Sequence, residues 1–137
     1  MYKKIMVPID MTHADRLTKA IDTAAALAKS FSSPITCVGI TSAAPSSIAH
    51  NPAEFEAKLK GFADQQAKRL GVDIDAQAVV THDPTIDTND TLIETAGKIG
   101  ADLVVMQSHV PNVTDYIWAS HGGRIASHFS GSVFLVR

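Results

Sequence analysis

Short apolar runs alternate with stretches of helical periodicity from one end of the chain to the other. Residues 5–9, 35–40 and 103–106 are apolar or β-branched with almost no polar interruption. That is how strands buried on both faces read. Residues 72–80 instead alternate polar and apolar side chains, as a strand with one wet face does, which places it at a sheet edge. Residues 132–136 close the chain as a fifth strand. Between these runs the apolar spacing changes to three and four. Thr12 and Asp15 form a capping-box pattern, and Leu17, Ile21, Ala24, Ala28 and Phe31 mark a helix of about five turns. Asn51 as cap, Pro52 in the first turn and Glu54 three residues after the cap open a second helix, which Gly71 stops. Leu92, Ala96 and Ile99 mark a third, ended by Gly100. Ser120 caps a short fourth that carries Ile125 and Phe129.

Five strands alternating with helices predict one α/β domain over residues 1–137, an open five-stranded parallel sheet with helices on both faces. Right-handed crossovers cover both faces only if the chain reverses direction along the sheet, in the flavodoxin-type order or its variant 3-2-1-4-5. In the variant, the reversal lies between the first and fourth strands. Ligands of open α/β sheets bind beside such a switch at the carboxyl ends of the strands. This nominates Pro8, Ile9 and Asp10 at the end of the first strand, and Met106, Gln107, Ser108 and His109 at the end of the fourth.

Composition excludes several classes. Net charge is −2, without the basic excess that a phosphate backbone requires, so nucleic acid is not an expected partner. The apolar runs are far shorter than a membrane span needs, and Asp10 interrupts the first run too early for a signal peptide. The expected location is the cytoplasm. The single cysteine, Cys37, can form neither an internal disulfide nor a thiolate zinc site, and reads as a small buried apolar residue. Six histidines are present, but no HExxH pattern occurs and no metal site is expected.

Catalytic residues are not identifiable. No G-x-S-x-G elbow is present, and no nucleophile lies beside a recognisable base. Asp10 suits either a ribose or amine contact or a cap on the turn that follows. The first βα turn lacks glycine, so the dinucleotide fingerprint is absent, as is the P-loop. Ser120, His121, Gly122, Gly123 and Arg124 open the last helix beside the predicted crevice. They suit an anion seat, or a serine cap with glycines that let the helix pack closely.

The chain resembles the small single-domain universal stress proteins over its whole length. The resemblance rests on Ile5-Met6-Val7-Pro8-Ile9-Asp10, on the stretch from Gly100-Ala101-Asp102 through Gln107-Ser108-His109, and on Ser132-Val133-Phe134-Leu135-Val136-Arg137. It implies the 3-2-1-4-5 sheet. It also implies a stress-response role and binding of ATP or another adenine nucleotide, with magnesium as a companion ion. Asp10 and Ile40 would lie near adenine and ribose, Met106 and Gln107 near the ribose, and Ser120 and His121 near phosphates, with Gly122 adjoining. Nucleotide-binding members carry G-x2-G-x9-G-[ST] after the fourth strand. Here Gln107, Val110 and Ala119 stand at the glycine positions, and the last spacing is one residue shorter. A subgroup with Ser-His-x-Pro after that strand, as in Ser108-His109-Val110-Pro111, also lacks the first two glycines. The alternative is a regulatory interaction module that binds no nucleotide. Finally, Val133-Phe134-Leu135-Val136 is apolar on both faces, and an uncovered edge of that kind invites association. A homodimer through this strand is expected, as the resemblance also implies; the competing cover is the 107–118 connection with Trp118 against Phe134.

Overall fold

The computed structural model describes residues 1–83, 88–108 and 122–137. Five strands, β1 (Ile5–Pro8), β2 (Ile35–Thr41), β3 (Ile74–Val80), β4 (Leu103–Gln107) and β5 (Ser132–Val136), form one sheet in the order β3-β2-β1-β4-β5. Every neighbouring pair is parallel. Helices α1 (Thr18–Phe31), α2 (Pro52–Leu70), α3 (Thr88–Ile99) and α4 (Gly122–His128) connect them. This is the variant order predicted above.

The register assigns the faces. Ile5 lies opposite both Ile35 and Leu103, and Leu103 opposite Ser132, so these residues share a face with Cys37, Gly39, Gln107, Phe134 and Val136. A Cβ on Gly39 would stand 2.9 Å from Phe55 Cζ and 3.1 Å from Leu59 Cδ2, so α2 packs on that face at a distance only glycine allows. Leu135 points the other way, and a Cβ on Gly122 would stand 2.5 Å from its Cδ2. Helix α4 therefore covers the opposite face. The core between is Ile5, Met6, Val7, Ile35, Val38, Leu59, Leu92, Val104, Val105 and Ile125, all essentially inaccessible. Full burial of such side chains contributes about 1.5–3 kcal/mol each. Cys37 lies in this core as expected, and burial pushes its thiol up to about 12.

One local expectation is corrected. The first helix is not capped by Thr12. Helix α1 starts at Thr18 with Leu17 at its N-cap and no side-chain cap, and Asp10 instead caps a 3-10 segment (Met11–Arg16) ahead of it, its Oδ1 accepting from the Thr12 amide at 3.1 Å. An aspartate two residues upstream reaches that amide directly, so the capping-box pair never forms. The second helix is built as expected, with Asn51 Oδ1 accepting from the Glu54 amide at 2.8 Å and Gly71 left-handed at its end. Strand β1 ends at Pro8, where a residue without an N–H is expected to stop the ladder.

Candidate functional site

The candidate site lies where β1 and β4 stop pairing. Ile5 N donates to Pro34 O at 3.0 Å and Ile9 N to Val38 O at 2.8 Å. Odd-numbered amides of β1 thus face β2, and even-numbered positions face β4. Pro8 has no N–H to offer on the β4 side. Pairing with β2 runs from Ile5–Ile35 to Pro8–Val38, whereas pairing with β4 consists of Ile5–Leu103 and Met6–Val104. The two strands part toward their carboxyl ends, at the reversal of strand order where open α/β sheets hold ligands.

A cavity of about 170 Å³ lies beside this point. Ile9, Ile40, Ile48 and Phe55 give it an apolar lining, and Asp10, Thr12, Thr41, Ser42 and Ser46 give it polar edges. Larger depressions exist among the described residues. One of about 680 Å³ borders Pro34 and Asp73, at the amino ends of the strands; a second, of about 570 Å³, lies between α1 and α2; a third, of about 320 Å³, borders Lys4, Thr36 and Ile74. Topology rather than size selects the smaller cavity.

The wall formed by residues 42–51 is fixed by short-range bonds. Ser46 Oγ accepts from the amides of Ile48 and Ala49 at 3.2 and 3.3 Å, and Ser46 N donates to Ala49 O at 2.8 Å. Helix α2 then holds the segment from outside. The His50 ring and amide bond Glu54 Oε2 at 3.0 and 3.2 Å, and Lys58 Nζ donates to Ile48 O. These bonds from His50, with Lys58 assisting, keep the Glu54 carboxyl below its ordinary range.

The structure brings Ile9, Asp10 and Ile40 together at the cavity, with Pro8 buried immediately before them. Asp10 combines the two roles open to it in the sequence: it caps the 3-10 segment and its residue borders the cavity. Met106, Gln107 and Ser108 form the end of β4 and do not line the cavity. Met106 is inaccessible. Gln107 is 4% exposed, and its Nε2 donates to Arg16 O at 3.2 Å. Ser108 N and Oγ both bond Val136 O, at 2.8 and 3.3 Å. Gly122 serves the close approach of α4 to Leu135. His109, Ser120 and His121, and the glycine positions at Val110 and Ala119, lie outside the described residues. Sequence reasoning missed Thr12, Ser42, Ser46, Ile48 and Phe55. The only signal for any of them was Ser46, a hydroxyl able to bond amides two and three residues ahead.

The model of the family described as "Universal stress protein family" matches residues 1–137, the full length of this sequence. The chain belongs to the universal stress protein family. Universal stress protein G of Salmonella typhimurium is 27% identical over 143 residues, covering 100% of both chains. Among solved structures, a universal stress protein in complex with cAMP matches with a TM-score of 0.70 at 20% identity, over 99% of this chain and 97% of that one. The universal stress protein of Archaeoglobus fulgidus in complex with dAMP matches at 0.68 and 17%, over 99% and 98%. These structural likenesses concern the fold.

Proposed function

We propose that this universal stress protein is a cytoplasmic stress-response protein, one domain over residues 1–137, that binds an adenine nucleotide at the carboxyl ends of β1, β2 and β4. The observation that carries this reading is the cavity at the carboxyl ends of β1 and β2, beside the switch point, apolar within and bordered by Asp10, Thr41, Ser42 and Ser46. An apolar slot with a few polar groups at its rim suits a flat base attached to a sugar. That family members of the same fold were solved with cAMP and dAMP supports the class of ligand. Pro8, Ile9, Asp10 and Ile40 would serve base and ribose. The main chain of Met106, Gln107 and Ser108 would approach the ribose from β4, and Gly122 marks the phosphate end with His109, Ser120 and His121. Magnesium would arrive on the phosphates of ATP. No helix among the described residues is long and apolar enough to cross a membrane, in keeping with this location.

Thermal denaturation with ATP, ADP and AMP tests the reading. A ligand at 100 times its Kd stabilises the native state by about 2.7 kcal/mol, a rise in Tm of roughly 4 °C or more for a domain of this size. No shift with any of the three at millimolar concentration refutes it.

The same proposal includes a homodimer through β5. Phe134 and Leu135 are 45% and 40% exposed on an edge strand, and a two-fold copy pairing the same strand closes on itself. A monomer in sedimentation at micromolar concentration refutes the dimer; a dimer that survives Val133→Lys and Leu135→Lys uses another surface. Trp118, the competing cover, lies outside the described residues.

A further inference from the structure

We propose that Gln107 is a positioning residue: it sets where the Asp10 carboxylate stands at the cavity by holding the far end of the 3-10 segment. Asp10 is the N-cap of that segment and Arg16 its last residue. The front is closed by the Asp10 carboxylate on the Thr12 amide and by His13 N donating to Asp10 O at 3.0 Å. The rear is closed by Leu17 N donating to Ala14 O at 3.2 Å. Between them His13 leaves helical geometry at φ −123° and ψ 25°, so the segment is two tight turns joined at a kink. None of its residues is fully buried, and apolar packing therefore fixes it weakly. Hydrogen bonds must supply the rest.

The amide of Gln107 reaches it from β4, 91 residues away in sequence, and donates to the Arg16 carbonyl. The side chain doing so is almost wholly buried at the end of a core strand. A buried amide costs stability unless it is bonded, so the bond has one favoured geometry and a rigid base. It also joins β4 to the segment that follows β1, beyond Met6–Val104 where the pairing of the two strands ends. The strand carrying the tie is thereby coupled to the turn carrying Asp10 where the sheet's own ladder has stopped.

The test begins without ligand, by amide hydrogen exchange read residue by residue in Gln107→Met, which keeps the volume and removes the donor. The amides of Thr12, His13 and Leu17 should exchange about tenfold faster. Those of Ile9 and Ser108, bonded within the sheet, should keep their wild-type rates. Unchanged rates at Thr12 and His13 overturn the proposal, as does uniform acceleration throughout the protein. If Gln107→Met does not fold, Gln107→Asn, whose shorter side chain falls short of Arg16, is read in the same way. A second arm rests on the nucleotide reading and uses calorimetry with AMP. Gln107→Met should weaken binding about tenfold in the wild-type background and not at all in Asp10→Ala. Equal losses in both backgrounds mean that Gln107 touches the nucleotide itself and overturn the positioning role. Absence of binding of AMP, ADP and ATP alike by the wild type defeats the proposed function, and the exchange arm then decides this inference alone.

Discussion

Asp10 performs two tasks that two substitutions separate. Its Oδ1 accepts from the Thr12 amide at 3.1 Å, and the residue borders the cavity. Asp10→Ala removes both. Loss of an N-cap of this kind costs about 1 kcal/mol, so the ligand-free Tm should fall by roughly 3–4 °C in a domain this size. Asn caps as well as Asp does, so Asp10→Asn should leave the ligand-free Tm within about a degree of wild type. The nucleotide-induced shift behaves differently. A hydrogen bond to a charged group is worth about 1.5–3 kcal/mol, and losing its lower value weakens binding at least tenfold. With ligand at 100 times the wild-type Kd, linkage stabilisation then drops from about 2.7 to about 1.4 kcal/mol. Scanning calorimetry with and without AMP should therefore show the ligand shift roughly halved in Asp10→Ala, and reduced in Asp10→Asn despite an unchanged baseline. An unaltered baseline in Asp10→Ala would falsify the cap. An unaltered ligand shift in both variants removes Asp10 from the site.

Asp102 should make stability fall in acid. Partial burial pushes its carboxyl up, but the amides of Lys3 and Lys4, at 3.0 and 3.1 Å, outweigh this and leave its pKa below the ordinary 3.8. A carboxyl depressed in the folded state stabilises above its unfolded pKa and loses that contribution as pH falls through the folded one. Asp102→Asn should cost about 1–2 kcal/mol in urea titrations at neutral pH, with the gap to wild type closing below pH 3.8; a gap of constant size at both pH values counts against the anchor. Cys37, buried with its thiol near 12, should resist disulfide reagents at pH 8 in the native protein and react fully in guanidinium. Rapid native labelling would show that β2 opens. Gly39→Ala should cost about 1–3 kcal/mol through overpacking against Phe55 and Leu59, measured by denaturant midpoint. Because Phe55 lines the cavity, the same variant should also weaken AMP binding.

The sheet was legible because strands buried on both faces have no solvent side, so β1, β2 and β4 stand out as unbroken apolar runs, while β3 declares itself an edge through Asp75 and Gln77. The switch-point rule then nominated Pro8, Ile9 and Asp10 before any side chain was placed. Ile40 required the family resemblance. The outer wall of the cavity could not be read. Ser42, Ser46 and Ile48 belong to a segment without periodicity, and they meet Phe55 only after α2 has folded back over β2, a contact that Gly39 permits. The cap was misassigned for a local reason: Thr12 and Asp15 match a pattern, but Asp10 reaches the same amide first.

Gln107 shows a different limit. Its position at the end of β4 was read correctly from the sequence, and its side-chain direction was not, because the partner is a carbonyl at Arg16 that only the crossover of α1 brings near. Pro8 withdraws one donor from the β4 side of β1, and the β1–β4 ladder ends at Met6–Val104. The cavity opens beside the ends of β1 and β2 and takes no lining from β4. Gln107 therefore acts on the turn that carries Asp10 from outside the cavity, through its bond to the Arg16 carbonyl, on the sheet face it shares with Ile5 and Leu103.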